Sequence, residues 1–295
     1  MAYMARSPEA RSEITRWFPE ARSVVICAFG YQDGSSASEP GPGQGRLARY
    51  CLPPDYHEEL GDRMRRLARW YQDVLPGAEA KVFVDSSPVM ERLYARSAGI
   101  GWVGKNAMLV SQRIGSFFFL AGMAVDRVLA YDEPVPDRCG TCERCLRACP
   151  ARAFAKERVL DASRCVAYFT VEHRKAAIPP EARPAHGRWI FGCDACQDAC
   201  PWNRFATRSS VLVPSLEPCQ DLEGLAALSR SEFNRRFKGT PLRRTGYPAV
   251  LRNVALAMGN SGEARHRPTL ERLSRHEEPL VAEQARWSLV RLRIS

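Results

Sequence analysis

Histidine is scarce in this chain, with five in 295 residues, and long apolar runs are missing. The longest run, Phe117 to Val125, is too short to cross a bilayer as a helix. The chain does not open with a charged head and an apolar stretch, so no secretory leader is expected. No Walker A loop occurs, which removes one common phosphate-cradling motif. A soluble, cytoplasmic protein without membrane contact is the expectation.

Cysteine and positive charge are abundant. Eleven cysteines in a chain of this length, without a leader, favour metal ligation over a disulfide framework. The formal charge is +10, and from Pro201 to Ser295 there are 16 Lys/Arg against nine Asp/Glu. A basic final third suggests a polyanionic partner; a solvated Arg-rich surface is the plain alternative.

Patterning predicts a buried strand over 23–30, a Gly/Ser/Pro-rich loop from Gly34 to Gly45, and an amphipathic helix from Tyr56 to Leu75. That helix carries Leu60, Met64, Leu67 and Tyr71 at helical spacing. A short strand from Lys81 to Val84 places Asp85 at its end. Ser87-Pro88 reads as an N-cap and first helical residue, opening a helix through Ala98. Gly99, Gly101 and Gly104 form a tight turn, and Phe117 to Val125 returns as a buried strand. Alternating strands and helices indicate an α/β domain over 1–135. A cysteine-rich module follows over 136–205, and a basic α-helical region with a weak repeat signal over 206–295. The chain starts close to its first strand, so an N-terminally truncated α/β domain is expected.

The cysteine spacing carries the chemistry. Cys139-x2-Cys142-x2-Cys145-x3-Cys149-Pro150 is a bacterial ferredoxin run, and Cys193-x2-Cys196-x3-Cys200-Pro201 follows it. Short spacers let a turning backbone aim several sulfurs at one cluster, while the cysteine before proline ligates the other. Cys139, Cys142, Cys145 and Cys200 therefore form one set of [4Fe–4S] ligands. Cys149, Cys193 and Cys196 form the second, with Cys165 as the nearest spare cysteine to complete it. Zinc is the alternative for an isolated Cys-x2-Cys pair. Cys27 reads as a core residue and Cys219 as incidental. Two adjacent clusters make an electron wire, so the α/β domain must hold another redox centre or dock to one.

Several stretches resemble epoxyqueuosine reductases. They are Val84-Asp85-Ser86-Ser87-Pro88-Val89-Met90-Glu91-Arg92, Ala98-Gly99-Ile100-Gly101-Trp102-Val103-Gly104-Lys105-Asn106 and Gly115-Ser116-Phe117-Phe118-Phe119-Leu120. Ile190 to Gln197, Cys200 to Arg204, Lys238 to Gly246 and Leu251-Arg252-Asn253 resemble the family as well. Ala121-Gly122 stand where the family tends to have Gly-Glu. The resemblance implies reduction of the epoxide of epoxyqueuosine at the tRNA wobble position to queuosine. It also implies cobalamin beside the two clusters, in a fold related to reductive dehalogenases with HEAT-like C-terminal repeats. A small-molecule reductase of the dehalogenase kind and a ferredoxin-type electron carrier are the competing readings. The basic C-terminal region speaks against the first and the long α/β domain against the second.

Within that frame, Asp85 is the expected general acid, its pKa raised by burial beside an apolar cofactor face. Capping of the following helix is its plainer role. The implied cofactor pocket takes Gly104, Lys105, Asn106, Leu109, Ser116 and Leu120, with Gly99 and Gly101 easing close approach. Arg11, the run Arg49-Tyr50-Cys51 and the run Asp55-Tyr56-His57 form its rim. No Asp-x-His-x-x-Gly run is present, so cobalt is expected to lack a protein histidine ligand. The tRNA surface is expected over Arg230 to Arg252, with Arg235, Arg236, Lys238, Arg243, Arg244 and Arg252 meeting phosphates. Phe233, Phe237 and Tyr247 are placed to pack or stack. A low-potential electron donor is the other expected partner, and the protein is expected to be a monomer. Anaerobically purified protein is predicted to contain about eight irons, the content of two cubanes; zinc with almost no iron, by metal analysis, would remove the wire.

Overall fold

The structure, a computed structural model, describes residues 8–32, 39–206 and 212–294. The elements run α1 (Pro8–Ser12), β1 (Ser23–Gly30), β2 (Gln44–Leu47), α2 (Tyr56–Val74), β3 (Ala80–Phe83) and α3 (Glu91–Ser97). Next come β4 (Trp102–Val103), β5 (Leu109–Val110), β6 (Phe118–Val125), α4 (Arg144–Arg147), β7 (Phe154–Lys156), β8 (Val159–Leu160), β9 (Trp189–Phe191) and α5 (Ala195–Asp198). The last are β10 (Cys219–Asp221), α6 (Leu222–Ala227), α7 (Arg230–Arg236), α8 (Pro241–Thr245), α9 (Tyr247–Ser261), α10 (Arg267–Leu273) and α11 (Pro279–Ile294). No described helix is long and apolar enough to cross a membrane.

The chain forms two compact units. One comprises 1–34, 55–142 and 201–213; the other comprises 35–54, 143–200 and 214–295. In the first, a three-stranded sheet has the order β1-β6-β3, with β6 antiparallel to both neighbours. β1 and β3 therefore run parallel and end at the same edge. β1 and β6 pair along their full length, from Ser23 opposite Val125 to Gly30 opposite Phe118. α2 buries Leu60, Met64, Ala68 and Tyr71, while Leu67 is only half-buried at the margin of the apolar face. Asp55 caps this helix by accepting from the His57 amide at 3.1 Å.

The helix expected to open at Ser87-Pro88 begins at Glu91 instead. Asp85 has a left-handed backbone (φ 50°), and tight turns follow, from the Ser86 amide to Val84 O and from the Val89 amide to Ser87 O. The chain must unwind from those turns before helical bonding starts. α3 then ends in a glycine motif: Ile100 N donates to Ala95 O and Gly99 N to Arg96 O, with Gly99 left-handed (φ 68°).

In the second unit, β2 pairs antiparallel with β10 and parallel with β9. Gln44 and Gly45, read from sequence as loop, begin β2; residues 34–38 of that loop lie outside the described residues. The core gathers Leu47, Ile190, Phe191, Leu222, Phe237 and Val254 with their neighbours. α9 and α11 pack together, and Ser288 Oγ donates to Ala255 O at 2.8 Å between them. α7 opens with a capping box, Ser229 with Glu232. Two short helices, α4 and α5, carry Cys145 and Cys196, and β7 and β8 form a hairpin between Cys149 and Cys165.

The β4–β5 pair, Trp102 opposite Val110, depends on the bare backbone of Gly101, where a Cβ would lie 2.1 Å from Val110 O. Gly101→Ala is predicted to cost about 2 kcal/mol or more and to lower Tm by several degrees in thermal melts.

Candidate active site

Asp85 stands just past the end of β3, at the edge where β1 also finishes. Its Oδ2 accepts a hydrogen bond from Tyr56 Oη at 2.8 Å and lies 3.1 Å from His57 Nε2. His57 Nδ1 lies 2.8 Å from Asp55 Oδ1. Tyr56 is itself held by stacking on Phe119 of β6, with ring centroids 4.0 Å apart and 12° between planes. Position 56 opens α2, so the helix start and the strand end converge on one carboxyl.

This chain of groups can store a proton. With Nδ1–H given to Asp55, Nε2 either accepts from a protonated Asp85 or, as imidazolium, donates to its carboxylate. The protein's own packing leaves the Asp85 side chain 56% exposed. Burial falls instead on Glu91, whose Oε1 accepts from the Asp85 amide at 2.6 Å. Burial first, and the Asp85 charge second, push the Glu91 carboxyl up to about 7. Asp85 therefore does not cap α3; Glu91 reaches back from α3 to hold Asp85.

At the glycines expected to line a cofactor, the protein's own atoms leave no room for a side chain. A Cβ on Gly99 would meet Glu133 O at 2.5 Å, and one on Gly104 would meet Asn106 Oδ1 at 2.9 Å. Lys105, Asn106, Leu109 and Ser116 are buried, and Leu120 is half-buried beside Leu109 and Phe118. Asn106 Oδ1 accepts from the Met108 amide at 3.2 Å, while its Nδ2 is buried without a partner among the described residues. Arg11 Nε is in the same condition. Ser116 is tied to Asn203, which donates from Nδ2 to its Oγ at 3.0 Å and accepts from its amide at 2.6 Å. Cys51 belongs to the second unit, where it is fully buried in the core and its thiol donates to Ala48 O at 3.1 Å.

Of the first cysteine set, Cys139 and Cys142 fall in the first unit and Cys145 and Cys200 in the second. Cys139 Sγ accepts from the Trp102 indole at 3.4 Å. The second set lies wholly in the second unit, and its members feel one another. Burial, then the charges of Asp194, Cys165 and Cys149, push the Cys193 thiol up to about 12. Cys196 is raised well above its ordinary value by burial, then by Cys193, Cys165, Cys149 and Cys145. Cys165 is thus brought beside the three cysteines it was expected to complete. No three His, Cys, Asp or Glu among the described residues are placed to hold a single metal ion. Cys27 and Cys219 are half-buried in β1 and β10.

Comparison with known proteins agrees along the chain. A family model described as epoxyqueuosine reductase QueG, DUF1730, matches residues 11–86, and one described as a 4Fe-4S double cluster binding domain matches residues 138–203. An epoxyqueuosine reductase of Xanthomonas campestris pv. campestris is 38% identical over 299 residues, covering 98% of this chain and 83% of the relative. This chain belongs to the epoxyqueuosine reductase family. A family member crystallised with an epoxyqueuosine-modified tRNA-Tyr stem loop aligns with TM-score 0.88 at 28% identity, over 96% of this chain and 77% of that one. The Bacillus subtilis member, solved with its aspartate catalytic loop swung out of the active site, aligns with TM-score 0.87 at 28% identity, over 97% and 78%.

Relative to the expected family pattern, position 122 has no room for a carboxylate. A Cβ on Gly122 would lie 2.5 Å from both Phe83 Cζ and Val25 O. The basic stretch divides. Arg235, Arg236, Lys238, Arg243 and Arg244 are exposed. Arg252 is not: it is 1% exposed, and its guanidinium donates to Phe169 O, His173 O and Ala176 O at 2.7, 2.6 and 3.0 Å. It is withdrawn from any phosphate and anchors a turn of the second unit. Phe233 and Phe237 are buried, so they pack rather than stack.

Sequence reading missed Glu91, although an acidic residue in the first turn of α3 was the available signal, and it gave His57 only a rim position. Glu91 holds its proton more tightly in the folded chain than at the ordinary 4.5. Its contribution to stability is thus full below about 4.5 and is lost as pH rises toward about 7. Glu91→Gln is predicted to remove that slope, measured as the difference in Tm between variant and parent at about pH 4 and about pH 7.5, roughly either side of the window.

Proposed function

We propose that this chain reduces the epoxide of epoxyqueuosine at the wobble position of tRNA to the alkene of queuosine. The observation that carries the reading is the match along 98% of the chain to a named epoxyqueuosine reductase, with the double-cluster segment included. The family member solved on an epoxyqueuosine-modified stem loop supports tRNA as substrate. Loss of the epoxide oxygen as water consumes two electrons and two protons.

The double-cluster match supports two [4Fe–4S] clusters. Cys139, Cys142, Cys145 and Cys200 would hold one, and Cys149, Cys165, Cys193 and Cys196 the other. Cobalamin, when bound, supplies a low-potential, strongly nucleophilic metal beside the substrate. The buried, unpartnered nitrogens of Asn106 and Arg11 fit the amide-rich edge of such a group, since a buried donor without an acceptor is costly. Lys105, Gly104, Leu109 and Leu120 would complete the wall. Ser116 and Cys51 already have protein partners, which weakens their case.

Asp85 donates the proton to the departing oxygen. Its half-exposed carboxyl faces outward from the strand end while Tyr56 and His57 hold its Oδ2. His57 resupplies that proton, and Asp55 fixes the ring. The catalytic aspartate loop of the Bacillus subtilis relative supports this assignment. The exposed cations Arg235, Arg236, Lys238, Arg243 and Arg244 meet tRNA phosphates. This reading keeps a cobalamin-binding α/β domain over 1–135, a cluster module over 136–205 and a HEAT-like tRNA-binding region over 206–295. It also keeps a cytoplasmic monomer served by a low-potential electron donor.

The test is mass spectrometry of a tRNA digest after anaerobic incubation with reductant and cobalamin. Loss of one oxygen from the modified base is expected, and an unchanged base rejects the function. Asp85→Asn is predicted to lower turnover by about 100- to 10,000-fold with stem-loop affinity preserved. Normal turnover in that variant would exclude Asp85 as the acid.

A further inference from the structure

The loops that carry Cys149 and Cys165 have an unusual outer face. From Arg144 to Cys165 there are six basic residues and two acidic ones. Arg144, Arg147, Arg152, Lys156, Arg158 and Arg164 are all exposed; Arg147 pairs with Glu143 and Arg158 with Glu157. Among these cations, the β7–β8 hairpin leaves Val159 41% and Leu160 39% exposed. A cleft of about 310 Å³ is bordered by two of the cations, Arg152 and Arg164, with Ser163 and Glu181. Arg164 immediately precedes Cys165 and Arg152 follows Cys149 by three positions, so the chain sets two of these cations beside half-buried members of the second cysteine set.

A cationic rim around an aliphatic centre is the composition of a protein-docking surface. Phosphate backbones would meet the arginines but gain nothing from Val159 and Leu160. An acidic protein is complementary to the whole face, and opposite charge both steers and orients its approach. The neighbourhood of Arg152 to Cys149 and of Arg164 to Cys165 along the chain gives such a contact a redox purpose.

We propose that this face docks a small acidic one-electron carrier protein, which reduces the cluster held by Cys149, Cys165, Cys193 and Cys196. The proposal rests on the cluster reading given under the proposed function. Each docking oxidises the carrier by one electron and reduces the cluster by one. Two dockings supply the electron pair that, with two protons, converts the epoxide to alkene and water.

The test uses cluster-loaded protein and an acidic [2Fe–2S] ferredoxin as probe. Two quantities are read: equilibrium binding of labelled oxidised ferredoxin, and the rate at which reduced ferredoxin bleaches the cluster absorbance. The combined variant Arg152→Glu, Lys156→Glu, Arg164→Glu is expected to weaken binding and slow bleaching by about tenfold or more at low salt, with the difference shrinking at high salt. Affinity for the tRNA stem loop and complete bleaching by excess dithionite are expected to persist. Unchanged ferredoxin binding overturns the proposal, as does loss of stem-loop affinity with carrier binding retained, which would make the face an RNA surface. Should the charge variant fail to retain its clusters, the pair Val159→Ser, Leu160→Ser decides by the same binding measurement. Parent protein that holds no iron, or that dithionite cannot bleach, would instead remove the cluster reading itself.

Discussion

A thiol buried among other thiols keeps its proton unless a cation takes the proton's place. Cys193 and Cys196 are in that position, with burial as the leading cause and neighbouring cysteines adding to it. Thiolate ligation by iron meets the requirement, because the metal supplies the positive charge that solvent cannot reach to provide. The loops around this set are otherwise short of regular structure: α4 and α5 span four residues each, and β7 and β8 only three and two. Arg49 adds a fixed strut, with its amide donating to Asp194 Oδ2 at 2.8 Å and its guanidinium reaching Asp198.

The Asp85 corner follows a different rule. Two carboxyls six residues apart receive opposite environments, and their roles separate accordingly. Asp85 is open on one side and gripped by Tyr56 and His57 on the other, which suits a group that must reach a substrate and be reprotonated. Glu91 is turned inward, and desolvation rather than a partner charge dominates its titration. Its bond to the Asp85 amide braces a residue in the left-handed region, where an aspartate is strained but tolerated. The turn at Asp85 is thus stabilised from the helix that follows it.

The double-cluster segment, the strand over 23–30, the helix from Tyr56 and the strand ending in Val125 were all legible in the sequence. In each case the signal is local: fixed spacers around a cluster, or a hydrophobic period of 2 or 3.6 residues. Cys165 entered the second set only as the nearest spare cysteine, since no fixed spacer marks it. What was not legible depends on neighbours distant in the chain. Arg252 reads as one more cation in a basic run, yet carbonyls about eighty residues upstream in the chain (near 169–176) claim its guanidinium. Gly122 reads as a gap in a family motif, and only the packing of Phe83 across the sheet explains why no side chain fits there.

By itself, then, the sequence determined which atoms can bind iron and where helices and strands begin their periods, because those properties depend on residues within one or two turns of each other. Tertiary structure alone decided which carboxyl is buried, which arginine is spent inside, and where the backbone must turn left-handed at Asp85. Desolvation and hydrogen-bond satisfaction are set by whatever packs against a group, and chain spacing carries almost no information about that.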